Sequence, residues 1–221
     1  MFMRIYLKLS KANEIIPFNY QPYLTGTIHK WIGDENEVHD KLSLYSFSWL
    51  QNVDVSKDGI SLKDSSFFFI GANDDLLIKR IVKGIIKDPS LCYGAFVTEV
   101  QIKENPVFPE KMLFHPVSPI FIKKRIENND KHILYNDPNA DFFLTETLQH
   151  KLKEAGLSAD GVSVSFVKDY PDAKTKLIKY KTISNKVNFC PVIIEGSPEQ
   201  IAFAWNVGIG NSTGIGFGAL K

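Results

Sequence analysis

The order of patterned segments constrains the fold of this 221-residue chain more than any other feature. Polar and apolar residues alternate over residues 2–9, as in a half-buried strand, and apolar residues at helical spacing follow over 21–32. Two or three strands, a helix that stops before Pro89 and another strand complete the series by residue 104, with Asn73 as the predicted N-cap. This half reads strand, helix, strand, strand, helix, strand.

The second half repeats that order. Strands are predicted over MLFHPVSPIFIKK and KHILYN, a helix over DFFLTETLQHKLKEAG, and three more strands before residue 196. A last helix begins where Ser197, Pro198 and Gln200 supply an N-cap hydroxyl, a first-turn proline and a capping-box glutamine. We therefore predict an α+β fold of two tandem ferredoxin-like (βαββαβ) lobes, with an N-terminal domain at 1–104 and a C-terminal domain at 105–221.

Composition limits the classes of partner. The formal net charge is +1, so a polyanionic partner is neither indicated nor excluded, and any basic surface must be local. Cys92 and Cys190 each lie in a strand-like run, which favours two reduced, buried thiols over a disulfide framework or a zinc site. The first residues alternate where a secretory segment would be continuous, and no apolar run reaches the roughly 18 residues of a membrane helix. We expect a cytoplasmic protein with no membrane partner.

The segment GIGNSTGIGFG at 208–218 holds five glycines in eleven positions. It follows a helix and has Thr213 where a dinucleotide-binding fingerprint needs its third glycine, and no Gly-Lys-Ser or Gly-Lys-Thr of a P-loop is present. Two interpretations remain. The glycines could allow a tight backbone crossing, or the segment could present N–H groups with Asn211, Ser212 and Thr213 to a phosphodiester backbone.

The pattern G-x-G-x-x-x-G-x-G-F-G after a helix resembles the glycine-rich loop of the CRISPR-associated RAMP superfamily, which comprises ferredoxin-like proteins that bind repeat RNA. Within it, the chain most resembles the endoribonucleases that cut CRISPR precursor transcripts inside each repeat, the Cas six family. That family's opening strand, the P-x-N-Y segment before its first helix, and the helix itself are resembled by MRIYLKLSKANEIIPFNYQPYLTGTIHKWI. Its next strand is resembled by LSLYSFSWL.

The resemblance implies a catalytic histidine between the first helix and the second strand, where His39 stands, and a helper on the first helix, where His29 stands. Taken alone, His29 is equally well explained as a polar residue on a helix face. Some members of the family carry a lysine just before the second strand. Here Ser43 occupies the nearest position and Lys41 lies two residues earlier, so the part played by Lys41 stays open. The other three histidines are predicted to be non-catalytic.

Two histidines could perform both proton transfers of an attack by a ribose 2′-OH on its adjacent phosphate. We assign His39 as the base and His29 as the acid or phosphate ligand, although the sequence leaves the direction open. The products would be a 5′-hydroxyl and a 2′,3′-cyclic phosphate, or a 3′-phosphate derived from it. No carboxylate cluster or Cys/His set stands at a recognisable metal-ligand spacing, so neither a metal nor a cofactor is expected.

The resemblance implies CRISPR repeat RNA as the partner. It leaves open other proteins of a CRISPR effector complex and a homodimer. Phe217 could stack on a base or anchor the loop in the core, and the lysine clusters are otherwise explained as solvated strand faces. The predicted RNA-binding residues are Gly208, Gly210, Asn211, Ser212, Thr213, Gly214, Gly216, Phe217, Gly218, Lys123, Lys124, Lys179 and Lys181.

Two other functions compete with the nuclease. A catalytically silent RAMP-type subunit that binds RNA within an effector complex would keep the glycine loop without needing His29 and His39. A ferredoxin-like module that binds something other than RNA would leave both features unexplained. The presence of both histidines favours the endoribonuclease.

Overall fold

The computed structural model describes residues 3–33, 42–126 and 129–221. Its first half contains β1 (Met3–Leu9), α1 (Gln21–Ile32), β2 (Tyr45–Phe47), β3 (Asp54–Val55), β4 (Ile60–Ser61), β5 (Phe67–Ala72), α2 (Asp75–Lys87) and β6 (Val97–Lys103). Four of these strands form an antiparallel sheet in the order β2-β5-β1-β6, with β3 and β4 as a separate small ladder. Without that ladder, the order is the βαββαβ series predicted from the sequence.

Alternation in β1 determines which side of this sheet is covered by the helices. Ile5, Leu7 and Leu9 belong to the same buried cluster as Leu24 and Ile28 of α1, because every second side chain of a strand points to the same face. The N-cap of α2 is Asp74, whose carboxylate accepts a 2.8 Å hydrogen bond from the backbone N–H of Leu76. The prediction of Asn73 as the cap was wrong by one residue.

The second half contains β7 (Lys111–Phe114), β8 (Lys123–Ile126), β9 (Asn129–His132), α3 (Ala140–Glu154), β10 (Ser163–Phe166), β11 (Lys174–Tyr180), β12 (Ile183–Phe189), β13 (Val192–Glu195) and α4 (Pro198–Val207). β10, β13 and β7 form an antiparallel sheet in that order. The backbone groups of His115 and Lys221 exchange hydrogen bonds of 3.1 and 2.9 Å. Residues 219–221 therefore occupy the position of the fourth strand of a second ferredoxin-like sheet.

Two hairpins, β8–β9 and β11–β12, extend from this half. The single strand predicted over MLFHPVSPIFIKK is instead divided between β7 and β8, since Pro116 and Pro119 cannot donate to a ladder.

α4 has the predicted capping box, in which Ser197 N–H donates to Gln200 Oε1 at 2.8 Å and Gln200 N–H donates to Ser197 Oγ at 3.3 Å. The α+β class is thus confirmed, while the division into domains at residue 104 stays a prediction.

α4 packs against the uncovered face of the first sheet. An added Cβ at Gly71 of β5 would lie 2.5 Å from the backbone oxygen of Asn206, so only glycine permits this approach. The buried Arg4 of β1 donates to the backbone oxygens of Leu220, at 2.9 Å, and Trp205. Its guanidinium lies over the rings of Phe69 and Trp205, 4.0 and 3.3 Å from their centroids. Burial lowers the pKa of Arg4 to about 9.

Both cysteines are free thiols, and the predicted burial holds for Cys190 but not fully for Cys92. Cys190 is buried and Cys92 is partly buried, and burial raises the pKa of each thiol to about 11. Across the described residues, none of the helices combines the length and apolar character needed to cross a membrane.

Candidate functional site

The glycine segment, residues 208–218, lies between the two halves and is mostly buried. An added Cβ at Gly218 would lie 1.9 Å from the backbone oxygen of Ile209, and one at Gly210 would lie 2.4 Å from that of Phe121. Gly218 and Gly210 also have φ values of +66° and +74°, which favour glycine. Close backbone packing therefore accounts for these two glycines.

Side chains from the first half hold the carbonyl groups of the glycine segment. Gln21 Nε2 donates to the Ile215 oxygen at 2.6 Å, and Trp49 Nε1 donates to the Gly216 oxygen at 2.8 Å. Tyr45 donates to the Gly214 oxygen at 3.0 Å. None of these three side chains was predicted to belong to the site, since each bonds to a backbone group more than 160 residues away.

His29 lies on the side of α1 that faces Tyr45. Its Nε2 atom is 3.3 Å from the Tyr45 hydroxyl, which also contacts Gly214. A hydroxyl has one proton, so when Tyr45 donates to Gly214 the hydrogen bond to the imidazole requires a proton on Nε2. Burial raises the pKa of Tyr45 above its usual range, which keeps the hydroxyl protonated near neutrality. Tyr45 can thus orient His29 and join it to the glycine segment.

The other two predicted catalytic residues, His39 and Lys41, lie outside the described residues. Leu42, the first described residue after them, lines a cavity of about 270 Å³. The described residues around this cavity are Leu42, Ser43, Lys151, Ser212, Thr213 and Ile215. Ser43 therefore lines the same cavity as Ser212, the exposed residue of the glycine segment.

Lys151 of α3 is the cation among the described residues that line this cavity. Its side chain is 1% exposed, and Nζ donates to the backbone oxygen of Gly208 at 3.2 Å and to Thr213 Oγ1 at 3.1 Å. Burial lowers the pKa of Lys151 to about 7. The sequence reasoning missed this residue, although it stands on the apolar stripe of α3 with Leu144, Leu148 and Leu152.

The glycine segment exposes few of its side chains. Ser212 is exposed and Asn211 is partly exposed, whereas Thr213 and Phe217 are fully buried. The Phe217 ring packs 5.4 Å from that of Phe121. The suggested stacking of Phe217 on a base is therefore wrong for this conformation, because the ring anchors the segment in the core.

The predicted lysines fall into two groups. Lys123 and Lys124 of β8 form ion pairs with Asp130 and Glu146, and the backbone N–H of Lys123 donates to Asn211 Oδ1 at 2.7 Å. Lys179 and Lys181 are exposed on the β11–β12 hairpin. Lys179 also lines a groove with Phe18, Asn19, Tyr20, Gln21, Trp49, Leu177 and Ile178. The second group is thus the more accessible to a polyanion.

Residues 102–221 match the family model described as "CRISPR associated protein Cas6, C-terminal". This chain belongs to the Cas6 family. Its whole length is also similar to a Pyrococcus furiosus protein named "Putative CRISPR-associated endoribonuclease-like protein Cas6". The two are 26% identical over 243 residues, which cover 99% of this chain and 98% of that protein.

Two solved structures share the fold of this Cas6-family chain. One, described as the characterization of a Cas6-related gene from Pyrococcus furiosus, has a TM-score of 0.86 at 22% identity and covers 100% of this chain and 98% of its own. The other, described as an RAMP protein binding different RNA substrates, has a TM-score of 0.82 at 20% identity, with coverage of 99% and 98%. These likenesses confirm the tandem ferredoxin-like architecture.

Among the residues that the structure of this Cas6-family protein describes, no three His, Cys, Asp or Glu side chains are grouped so as to hold a metal ion. The described polar side-chain groups at the candidate site are instead imidazole, phenol, hydroxyl and ammonium groups. These groups can transfer protons and bind anions. The absence of a metal from the reaction stays a prediction.

Proposed function

We propose that this Cas6-family protein is a metal-independent endoribonuclease that cleaves CRISPR precursor transcripts within the repeat. The observation that carries the proposal is the contact of the Tyr45 hydroxyl with both His29 Nε2, at 3.3 Å, and the Gly214 oxygen, at 3.0 Å. It joins a titratable imidazole of the first half to the glycine segment of the second half. Proton transfer and binding of a phosphodiester can then occur at one site.

In the proposed reaction, the base removes the proton of a ribose 2′-OH while the 2′-oxygen attacks the adjacent phosphorus. The bond from phosphorus to the 5′-oxygen breaks, and the acid donates a proton to that oxygen. The products are a 2′,3′-cyclic phosphate and a 5′-hydroxyl. We assign His39 as the base and His29 as the acid or a phosphate ligand, roles that an imidazole can fill near neutrality.

Lys41 is retained as a candidate for stabilising the negative charge of the transition state. It directly precedes Leu42, which lines the cavity beside Ser43 and Ser212. Preorganised cations aimed at developing charge commonly make large contributions to catalysis. The proposal requires no metal, because every proton has a donor and an acceptor among these side chains.

Repeat RNA is the proposed partner. A structural relative is described as an RAMP protein binding different RNA substrates, and the full-length Pyrococcus furiosus relative is named as endoribonuclease-like. In this chain, Ser212 of the glycine segment and the hairpin lysines Lys179 and Lys181 are exposed. Lysines contact the RNA backbone as point charges and hydroxyls donate to its oxygens, so these residues are the proposed backbone contacts.

The test incubates the purified protein with a repeat-containing transcript in EDTA. We expect cleavage to 5′-hydroxyl products, and a loss of about 10²- to 10⁴-fold in rate for His39→Ala and for His29→Ala, the range of a proton-transfer group. Tyr45→Phe should reduce the rate by about tenfold, because it removes only the orientation of His29. His150→Ala, on the exposed surface of α3, is the matched control.

Cleavage that requires a divalent metal, or that survives both histidine substitutions, would contradict the proposal. Tight binding of the transcript by the wild-type protein without any cleavage would instead support the silent RNA-binding subunit.

A further inference from the structure

We propose that the cavity beside the glycine segment binds a phosphate group of the RNA backbone and that Lys151 supplies its positive charge. This inference rests on the proposed function for the identity of the ligand. It adds a site that is lined by residues of both halves and lies beside the glycine segment.

The first argument concerns burial of charge. Lys151 is 1% exposed, and its two hydrogen-bond acceptors, Gly208 and Thr213, are neutral. Burial is the cause of its lowered pKa, and within the described part of the chain no carboxylate offsets it. A buried ammonium without a counter-charge costs folding free energy, and a bound anion would offset that cost.

The second argument concerns the wall of the cavity. Besides Lys151, its described lining holds the hydroxyls of Ser43, Ser212 and Thr213 and the apolar side chains of Leu42 and Ile215, with no acidic group among them. The Thr213 hydroxyl is already paired, because it accepts from Lys151 and donates to the Ser43 backbone oxygen at 3.4 Å. The ammonium and the hydroxyls of Ser43 and Ser212 remain, and these groups suit an oxyanion such as phosphate. The volume of about 270 Å³ is several times the roughly 30 Å³ that one water molecule occupies.

The third argument concerns position. Thr213, which accepts from Lys151, is followed directly by Gly214, which accepts from Tyr45. Tyr45 in turn contacts His29. A phosphate in the cavity would therefore lie near the proposed acid, as expected for the scissile phosphate or its neighbour.

A purely structural role for Lys151 predicts a different result. Lys151 bonds to the oxygen of Gly208, the residue at the end of α4, and lysines often satisfy carbonyl groups at helix ends. In that case removal of the ammonium would weaken the fold, and RNA affinity would fall only as far as the fold was damaged. The number of phosphates contacted would stay the same.

The test compares Lys151→Met with Lys153→Met, which removes the same charge from an exposed position on α3. The ligand is a repeat RNA whose 2′-hydroxyls are methylated, so that it cannot be cleaved. Fluorescence anisotropy measures its binding at several salt concentrations. We expect Lys151→Met to weaken binding about tenfold and to reduce the slope of log K against log salt by about 0.7 to 0.9, the change for one phosphate contact. Lys153→Met should leave both quantities unchanged.

An unchanged salt slope in a folded Lys151→Met protein, or an equal change in Lys153→Met, would overturn the inference. If Lys151→Met does not fold, the thermal midpoint of the wild-type protein is measured while inorganic phosphate is titrated through low millimolar concentrations at constant ionic strength, because general salt stabilisation does not saturate in this range. A rise in the midpoint that follows the binding of one ligand supports the site, and a midpoint that does not change overturns it. Failure of the wild-type protein to cleave RNA would refute the nuclease and leave this binding result standing.

Discussion

Two buried cations, Arg4 and Lys151, hold the junction between the halves at different places. Arg4 donates to the backbone oxygens of Leu220 and Trp205 and is enclosed by the rings of Phe69 and Trp205. Lys151 donates to Gly208 and Thr213 and lines a cavity. Both side chains contact the region from α4 to residue 220, and burial lowers the pKa of both.

The difference indicates that the two sides of the junction have different roles. The Arg4 side is closed by aromatic rings and by the contact of Gly71 with Asn206. The Lys151 side has a cavity whose lining includes the exposed Ser212. We infer that the Arg4 side mainly stabilises the arrangement of the halves, whereas the Lys151 side is available to a ligand. Three experiments can separate these two roles.

The largest effect is expected for Arg4→Ala. The substitution leaves two buried backbone oxygens without their donor and opens a space between two rings, so we expect the free energy of unfolding to fall by about 3 kcal/mol. Urea denaturation measures this change. The control is Lys8→Ala on the same strand. The Lys8 side chain is half-exposed and its Nζ lies 3.9 Å from Glu99 Oε2, so its removal should lower the free energy of unfolding by less than about 1 kcal/mol. Equal losses in the two variants would refute a stabilising role specific to Arg4.

A smaller pair of effects separates stability from activity. Gly218→Ala would place a Cβ 1.9 Å from the Ile209 oxygen at a φ of +66°, so we expect a loss of about 2 kcal/mol in stability with little change in the cleavage rate of the folded protein. Gly214→Ala would meet mainly the Ser43 side chain, at 2.4 Å, and Tyr45 Cζ, at 3.0 Å.

Rotation of Ser43 moves its Oγ away, but its Cβ, 2.9 Å from the added Cβ, must shift slightly, so the stability of Gly214→Ala should fall by about 1 kcal/mol. Displacement of Tyr45 should lower its cleavage rate about tenfold. Unfolding curves and single-turnover cleavage measure the two quantities. The division of roles would be disproved if Gly218→Ala lost activity and Gly214→Ala lost only stability.

The smallest effect is a dependence of stability on pH. Lys151 has a pKa of about 7 in the folded state against an ordinary value of 10.5, so between these values the unfolded chain binds more protons. The free energy of unfolding of the wild type, relative to Lys151→Met, should therefore rise from pH 8 to pH 9 by at most about 1.4 kcal/mol. Urea denaturation of both proteins over this range checks it, and a flat or falling difference would contradict it.

Much of the fold could be predicted from local patterns. Strand alternation and helical spacing depend on neighbours in the sequence, so the βαββαβ order of the first half and the capping box at Ser197 and Gln200 were predicted correctly. In the second half the single strand predicted over KLIKYKTIS is instead divided between β11 and β12. The break between β7 and β8 was missed, although Pro116 and Pro119 indicate it. Asn73 and Asp74 can both cap a helix, and sequence alone could not choose between them.

The site was harder to predict, because its contacts join residues far apart in the chain. Tyr45 fits an ordinary strand pattern, and its hydroxyl acquires a role only through Gly214, 169 residues away. Lys151 offered a signal, since a lysine interrupts the apolar stripe of Leu144, Leu148 and Leu152. Such a lysine is usually solvated at a helix edge, and only the positions of Gly208 and Thr213 show that it is buried.

The hydrogen bond from Arg4 to Leu220 spans 216 residues and has a consequence for synthesis of the protein. The guanidinium leaves the ribosome early, whereas its two acceptors lie 201 and 216 residues further along the chain. The first sheet can form during translation, but its outer face must wait for the second half before it is covered. Nascent chains halted before residue 220 should therefore keep this face open to chaperones.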